Sequence, residues 1–152
     1  MKRFILASAI VLFSATAFSQ NYNQAIGLKF PGGFAVTYKK FIADSKALEA
    51  QAMLAKESVR FVGLYEWHFA FNSVPQLSWY VGPGVHLGFY RQEYKTKYST
   101  NVDLGIDGII GLDYKFSGAP VNVSLDWQPS ITFTGSGGST PAYGGLAIRY
   151  TF

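Results

Sequence analysis

Glu66 and His68 stand two residues apart in LYEWHFAF, and His86 follows in LSWYVGPGVHLGFY. On a β-strand, positions i and i+2 share a face. The carboxyl and imidazole of the pair therefore point the same way, as an acid/base couple or part of a zinc site requires. His86 joins that face one strand later. The spacing offers no third strong ligand, so a hydrogen-bonded cluster is the plainer interpretation, and neither metal nor cofactor is expected. A Ser/His/acid hydrolase set is no better supported. There is no Gly-x-Ser-x-Gly turn to present a nucleophile, and the late serines and threonines look like ordinary strand residues. No enzymatic activity is expected.

These residues sit on segments of strict two-residue period. From Val121 to Thr134 (VNVSLDWQPSITFT) every odd position is apolar and every even one polar. Val102 to Phe116 and Leu77 to Phe89 each carry one oily face in the same way. Such alternation marks strands lying between an oily medium and a wet one. Eight are expected, at about 22–30, 34–42, 46–55, 58–71, 76–91, 101–116, 120–134 and 141–152, separated by turn-forming runs such as Pro31-Gly32-Gly33 and Ser117-Gly118-Ala119-Pro120.

Composition narrows the class. Aromatics reach 17% while charged residues are only 14%, against about a quarter charged in soluble domains. Lys2 and Arg3, the apolar stretch Phe4 to Phe13 and the small residues around Ser19 have the form of a secretory signal. Residues 1–19 are expected to be cleaved, leaving 20–152 as one domain. Two of the four net positive charges leave with the signal, so basicity is no argument for a nucleic-acid partner. The chain has no cysteine and hence no disulfide support. Beyond the leader no apolar run is long enough for a membrane helix. A chain this oily that spans a membrane without helices must be a closed β-barrel, since lipid cannot satisfy open backbone groups. The expected fold is all-β, an eight-stranded antiparallel up-and-down transmembrane barrel.

Alternation does not say which face is outside, and a soluble lipocalin-like barrel would turn the oily face inward. Aromatics of the oily parity gather at alternate strand ends: Tyr22, Trp67, Phe69, Phe71, Trp79, Tyr114, Phe116 and Tyr150. An up-and-down topology brings them to one rim, as in an interfacial girdle. The connections after the second, fourth and sixth strands are tight, while those after the fifth (92–100) and seventh are longer and polar. The polar parity also holds charges of both signs: Lys29, Lys39, Arg60, Lys115 and Arg149 with Glu49, Glu66, Asp103, Asp107, Asp113 and Asp126, beside His68. An eight-stranded barrel is just wide enough for side chains to fill it, so these groups are expected to pair across the lumen. An arginine at Leu104 or Leu125 should then cost more than one at Asn122.

Two segments strain the pattern. Lys46 to Glu57 (KALEAQAMLAKE) consists of good helix formers, yet Leu48, Ala50, Ala52 and Leu54 alternate with Glu49, Gln51 and Met53, and a closed barrel needs the strand. Pro83 and Pro129 fall inside strands, where each removes a ladder donor, so a bulge or distortion is expected at both.

The runs LYEWHFAF, LSWYVGPGVHLGFY and DGIIGLDYKFSGAPVNVSLDWQPS resemble the small outer-membrane β-barrel proteins, "porin family" or OmpA/OmpX-like barrels, of Bacteroidetes-type Gram-negative bacteria. The likeness covers about residues 34–152. The closing GGLAIRYTF looks like the strand signal recognised by the outer-membrane insertion machinery, with Phe152 as its terminal aromatic. The resemblance implies fold and an outer-membrane location, with membrane lipid and lipopolysaccharide as surroundings and the insertion machinery as a partner in biogenesis. It does not by itself imply a pore. The expected role is structural or surface-interacting, in a monomer whose lumen is filled. A narrow channel for small solutes is the alternative. The loop EYKTKYSTN, with Tyr94, Lys95, Lys97 and Tyr98, could meet anionic lipopolysaccharide or be simply an exposed polar loop.

Overall fold

The structure, a computed structural model, describes residues 22–56, 58–90, 102–134, 138–140 and 143–152. The expected signal sequence and the loop carrying Lys95 and Lys97 lie outside these residues. The strands are β1 (Gln24–Phe30), β2 (Phe34–Ala43), β3 (Lys46–Leu54), β4 (Ser58–Phe71), β5 (Val74–Tyr90), β6 (Val102–Lys115), β7 (Val121–Trp127), β8 (Ser130–Thr132), β9 (Gly138–Thr140) and β10 (Leu146–Thr151). Every pairing is antiparallel. Neighbours follow the order β5-β4-β3-β2-β1-β10-β7-β6, and β5 pairs with β6, which closes the sheet. Because β7 and β8 are one strand interrupted at Gln128–Pro129, and β9 and β10 belong to the last, the molecule is an eight-stranded antiparallel barrel. Among the described residues there is no helix.

Lys46–Leu54 is a strand, despite its helix-forming composition, because only the extended form places Glu49 and Gln51 in the barrel and Leu48 and Leu54 outside it. Tight connections at Asp44–Ser45, Asn72–Ser73 and 116–120 lie at one end, which is termed the tight-turn end; Gly118 takes φ 89° there, a conformation that favours glycine.

The two prolines behave differently from each other. At Pro129 the chain leaves the strand for two residues, but β6 pairs on both sides in unbroken register, Ile110 with Trp127 and Asp107 with Ser130. The Pro129 carbonyl still accepts from Gly108 N at 2.9 Å. At Pro83 the distortion takes the form of a gap and not a bulge: β5 keeps its register with β6, and with β4 the pairing is interrupted between Leu64–Gly84 and Trp67–Val81 while the register is the same on both sides. The register shifts occur instead at Phe41/Ala43 and Ala70/Phe71, both beside tight turns.

The interior is polar and the exterior oily. Leu104, Ile110, Leu125, Trp127 and Ile148 are 46–59% exposed, whereas Lys29, Lys39, Glu66 and Asp113 are 0% exposed. The lipocalin-like alternative, with its oily face inward, is thus not the arrangement found. A small apolar cluster does line the inner wall, built from Ala35, Met53, Val62, Leu64 and Ile109 around Tyr80.

Candidate functional site

The lumen gathers nearly every ionisable group that parity assigned to it. At its tight-turn half, Lys39 of β2 lies 3.0 Å from Glu49 of β3, 2.8 Å from Glu66 of β4 and 3.6 Å from Asp113 of β6. Arg149 of β10 donates from Nη2 to both Glu49 oxygens at 2.9 and 3.0 Å, and from Nη1 to Ser124 at 2.6 Å and Asn122 at 3.4 Å; its Nε donates to Thr37 at 3.3 Å. Thr37 and Gln51 each donate to Glu49 at 2.7 Å. A fork held at five contacts suits arginine's planar set of donors. His68 Nε2 meets Glu66 at 2.8 Å, and its ring stacks on Tyr80 with centroids 5.0 Å apart. The Lys39 ammonium sits 4.2 Å from the centre of that tyrosine ring.

The network continues along the axis. Tyr80 donates to Asp126 at 2.8 Å, and Lys29 reaches Asp126 at 2.7 Å and Gln128 at 3.0 Å. Gln128 donates to Asp107 at 3.4 Å, and Asp107 meets His86 Nδ1 at 2.7 Å. Asp103 lies 3.7 Å from His86 Nε2 and is hydrogen-bonded by Arg60, which packs 4.3 Å from the Tyr143 ring centre. Buried charges are tolerable when paired and hydrogen-bonded, and here neighbouring strands and, through Lys39–Asp113 and Arg149–Glu49, distant ones supply one another's partners.

Two expected members sit elsewhere. Lys115 stays outside the network: at the end of β6 it donates to the carbonyls of Phe116 at 2.6 Å and Ala119 at 2.7 Å, closing the turn. Tyr22 is not on the outer rim. It precedes β1, where the strand's parity no longer holds, and turns inward to donate to Asp113 at 3.4 Å, with its ring edge on Phe41. The remaining rim aromatics do lie together at the tight-turn end. Ring contacts join Phe69 to Trp79 at 4.4 Å, Tyr114 to Phe116 at 4.9 Å and Tyr150 to Phe152 at 6.2 Å, while Trp67 and Phe71 are exposed.

Tyr80, Gln128, Asn122, Ser124 and Thr37 were not singled out as site residues, although the first four lie on the polar parity of their strands and Thr37 shares that of Lys39. Charge drew the eye, and the neutral partners that join the charges did not. Glycines make room for this packing. A Cβ on Gly105 would fall 2.5 Å from the His86 ring, and one on Gly111 would fall 2.7 Å from the Tyr80 ring.

The chemistry open to the site is limited by access. Thr132 Oγ1 lies 3.3 Å from His86 Nε2, and His86 Nδ1 faces Asp107, which is the connectivity of a nucleophile–base–acid relay. His86, however, is 1% exposed, and the Asp103 carboxylate stands at the same Nε2. His68 pairs with Glu66 in a separate cluster, so the two histidines do not converge. Among the described residues no three His, Asp or Glu side chains are grouped to hold a metal ion. No protein-family model matches the chain, and no curated protein matches it either.

Proposed function

We propose that the protein is an integral outer-membrane barrel with a plugged lumen, a small porin-family, OmpA/OmpX-like barrel of a Bacteroidetes-type Gram-negative bacterium, with a structural or surface-interaction role and no catalytic one. The observation that carries this is the inverted distribution of polarity: oily side chains cover the outside of a closed sheet, and charges at 0–8% exposure fill its axis, with Lys39 reaching Asp113 and Arg149 reaching Glu49 across the lumen. An apolar exterior on this scale marks contact with lipid or another apolar partner, and a closed barrel leaves no strand edge for lipid to strand. The aromatic rim fits a membrane–water boundary. Residues 1–19 act as a cleaved export signal, Phe152 as the end of the insertion signal, and the barrel works as a monomer among phospholipid and lipopolysaccharide.

Location and plugging are tested separately. Cell fractionation should recover the chain in the outer membrane, and the folded form should run differently from the boiled one on a gel; recovery in the soluble periplasm would refute the location. In planar bilayers the wild type should show no steady conductance. Steady openings that grow when Arg60 or Arg149 is cut to alanine would replace the plug with a narrow channel.

A further inference from the structure

The outer wall has two grooves of similar size. One, of about 600 Å³, runs across β5–β7 among Ile110, Leu112, Leu125 and Trp127, with no lysine in its lining. The other, of about 620 Å³ across β2–β5, has one, and its size suits part of an amphiphilic ligand. Its floor follows from register. Tyr38, Ala50, Gly63 and Val85 are successive cross-strand partners, so two small residues lie side by side between two large ones. The glycine is not required by the barrel itself. Its φ is not positive, and a Cβ built on it meets nothing within 4 Å, in contrast to Gly82, Gly105 and Gly111, where backbone or lumen side chains occupy that space. A glycine inside a strand weakens it, and among the described residues no side chain comes within 4 Å of where its Cβ would stand.

The next row toward the tight-turn end is Lys40, Leu48 and Tyr65, and all three line the groove. Lys40 is exposed on the outward face of β2. Among the described strand residues facing outward, only it and Lys46, the first residue of β3, are charged. A lysine beside oily surface lays its stem along that surface and carries its ammonium toward the headgroups. The described strand carboxylates all point into the lumen, so a second copy docking with its own outer wall would bring no counter-charge to Lys40. An anionic phospholipid brings one.

We propose that this groove binds a single diacyl phospholipid of net negative charge, with an acyl chain in the Ala50–Gly63 trough and its headgroup charge, uncompensated by a cation of its own, on the Lys40 ammonium. The site rests on the membrane reading above and adds a specific lipid contact to it.

The test uses the full barrel refolded in detergent micelles and native mass spectrometry with phosphatidylglycerol or phosphatidylcholine added. Wild type should retain one phosphatidylglycerol. Lys40→Gln should lower that retention by about fivefold, the effect of one lysine at a lipid surface, with little change for phosphatidylcholine. Gly63→Leu should reduce retention of both lipids, and Ala50→Leu blocks the same trough should the first variant not fold. Ile148→Ala, exposed on the outer face of β10 and in the lining of neither groove, should change neither. Equal retention by wild type, Lys40→Gln and Gly63→Leu in folded, micelle-bound protein would overturn the site while leaving the membrane reading intact. A two-copy species abolished by Gly63→Leu would overturn it in favour of self-association. A chain that stays monomeric and soluble without detergent would remove the membrane reading, and the site with it.

Discussion

The two halves of the lumen are built from the same residue types but connected differently. At the tight-turn half Arg149 has five contacts, Glu49 is reached by Lys39, Arg149, Thr37 and Gln51, and the exposures of these charges are 0–2%. At the long-loop half Arg60 has one carboxylate and one ring, and Arg60, Asp103 and Asp107 are 3–8% exposed. A cavity of about 170 Å³ opens beside Arg60, between Pro31, Met53 and Tyr143. Burial raises the cost of an unpaired charge, so the enclosed Arg149 and Glu49 need several partners each, where Arg60, beside the cavity, is held by a single carboxylate. The difference locates the plug: its tight-turn half is the part that ties the walls together.

Substituting Arg149 probes this contrast most strongly. Arg149→Ala strands the Glu49 carboxylate with Lys39 as its one remaining cation and should cost about 3–5 kcal/mol in reversible urea unfolding from lipid vesicles, the scale for breaking a buried ion pair. Arg149→Lys, which keeps the charge but loses the fork, should fall between this variant and wild type. A loss below 1 kcal/mol, on the order of a single ordinary hydrogen bond, would mean that the five contacts are not cooperative.

The outer wall supplies the next test, because it should not share the asymmetry of the lumen. Leu104 and Leu125 are 47% and 59% exposed, and Leu104→Arg or Leu125→Arg should each cost about 2–4 kcal/mol of folding free energy in lipid. If either arginine cost nothing in bilayers, the oily surface would not be facing hydrocarbon. Arg60→Ala comes below these. It removes one charged hydrogen bond at the looser half and should cost about 1.5–3 kcal/mol. An Arg60→Ala loss equal to that of Arg149→Ala would erase the distinction between the halves.

What the sequence made legible follows from the strand period. Side chains alternate strictly along an extended chain, so the inward set Lys29, Lys39, Glu49, Glu66, Asp103, Asp107, Asp113, Asp126 and Arg149 could be assigned without knowing which strand pairs with which. Partner choice depends on register and on the width of the closed sheet, and neither is a local property. Hence Arg149 meeting Glu49 across the barrel was not readable, nor was Asn122 lying between Asp113 and Arg149. That placement revises the expectation that an arginine at Asn122 would be comparatively cheap, because it would press a cation against Arg149 in a fully buried site. The errors fall where parity ends. Tyr22 lies before β1 and Lys115 at the last position of β6, and there the turn, not the sheet, sets the direction of the side chain.

Lys115 is therefore the residue that separates belonging to the inward parity from belonging to the plug. It occupies a position of the same parity as Asp103, Asp107 and Asp113, yet its ammonium bonds two turn carbonyls near solvent and, among the described residues, no carboxylate. Exposed contacts of this kind compete with water, so Lys115→Ala should change stability by no more than about 0.5 kcal/mol. Its conductance should remain that of the wild type, and hydrogen exchange should quicken only at the 116–120 turn. If removal of this amine instead loosened exchange at Glu49 or Asp113, the network would extend to the rim, and the closed half of the lumen would be held from its end as well as across its walls.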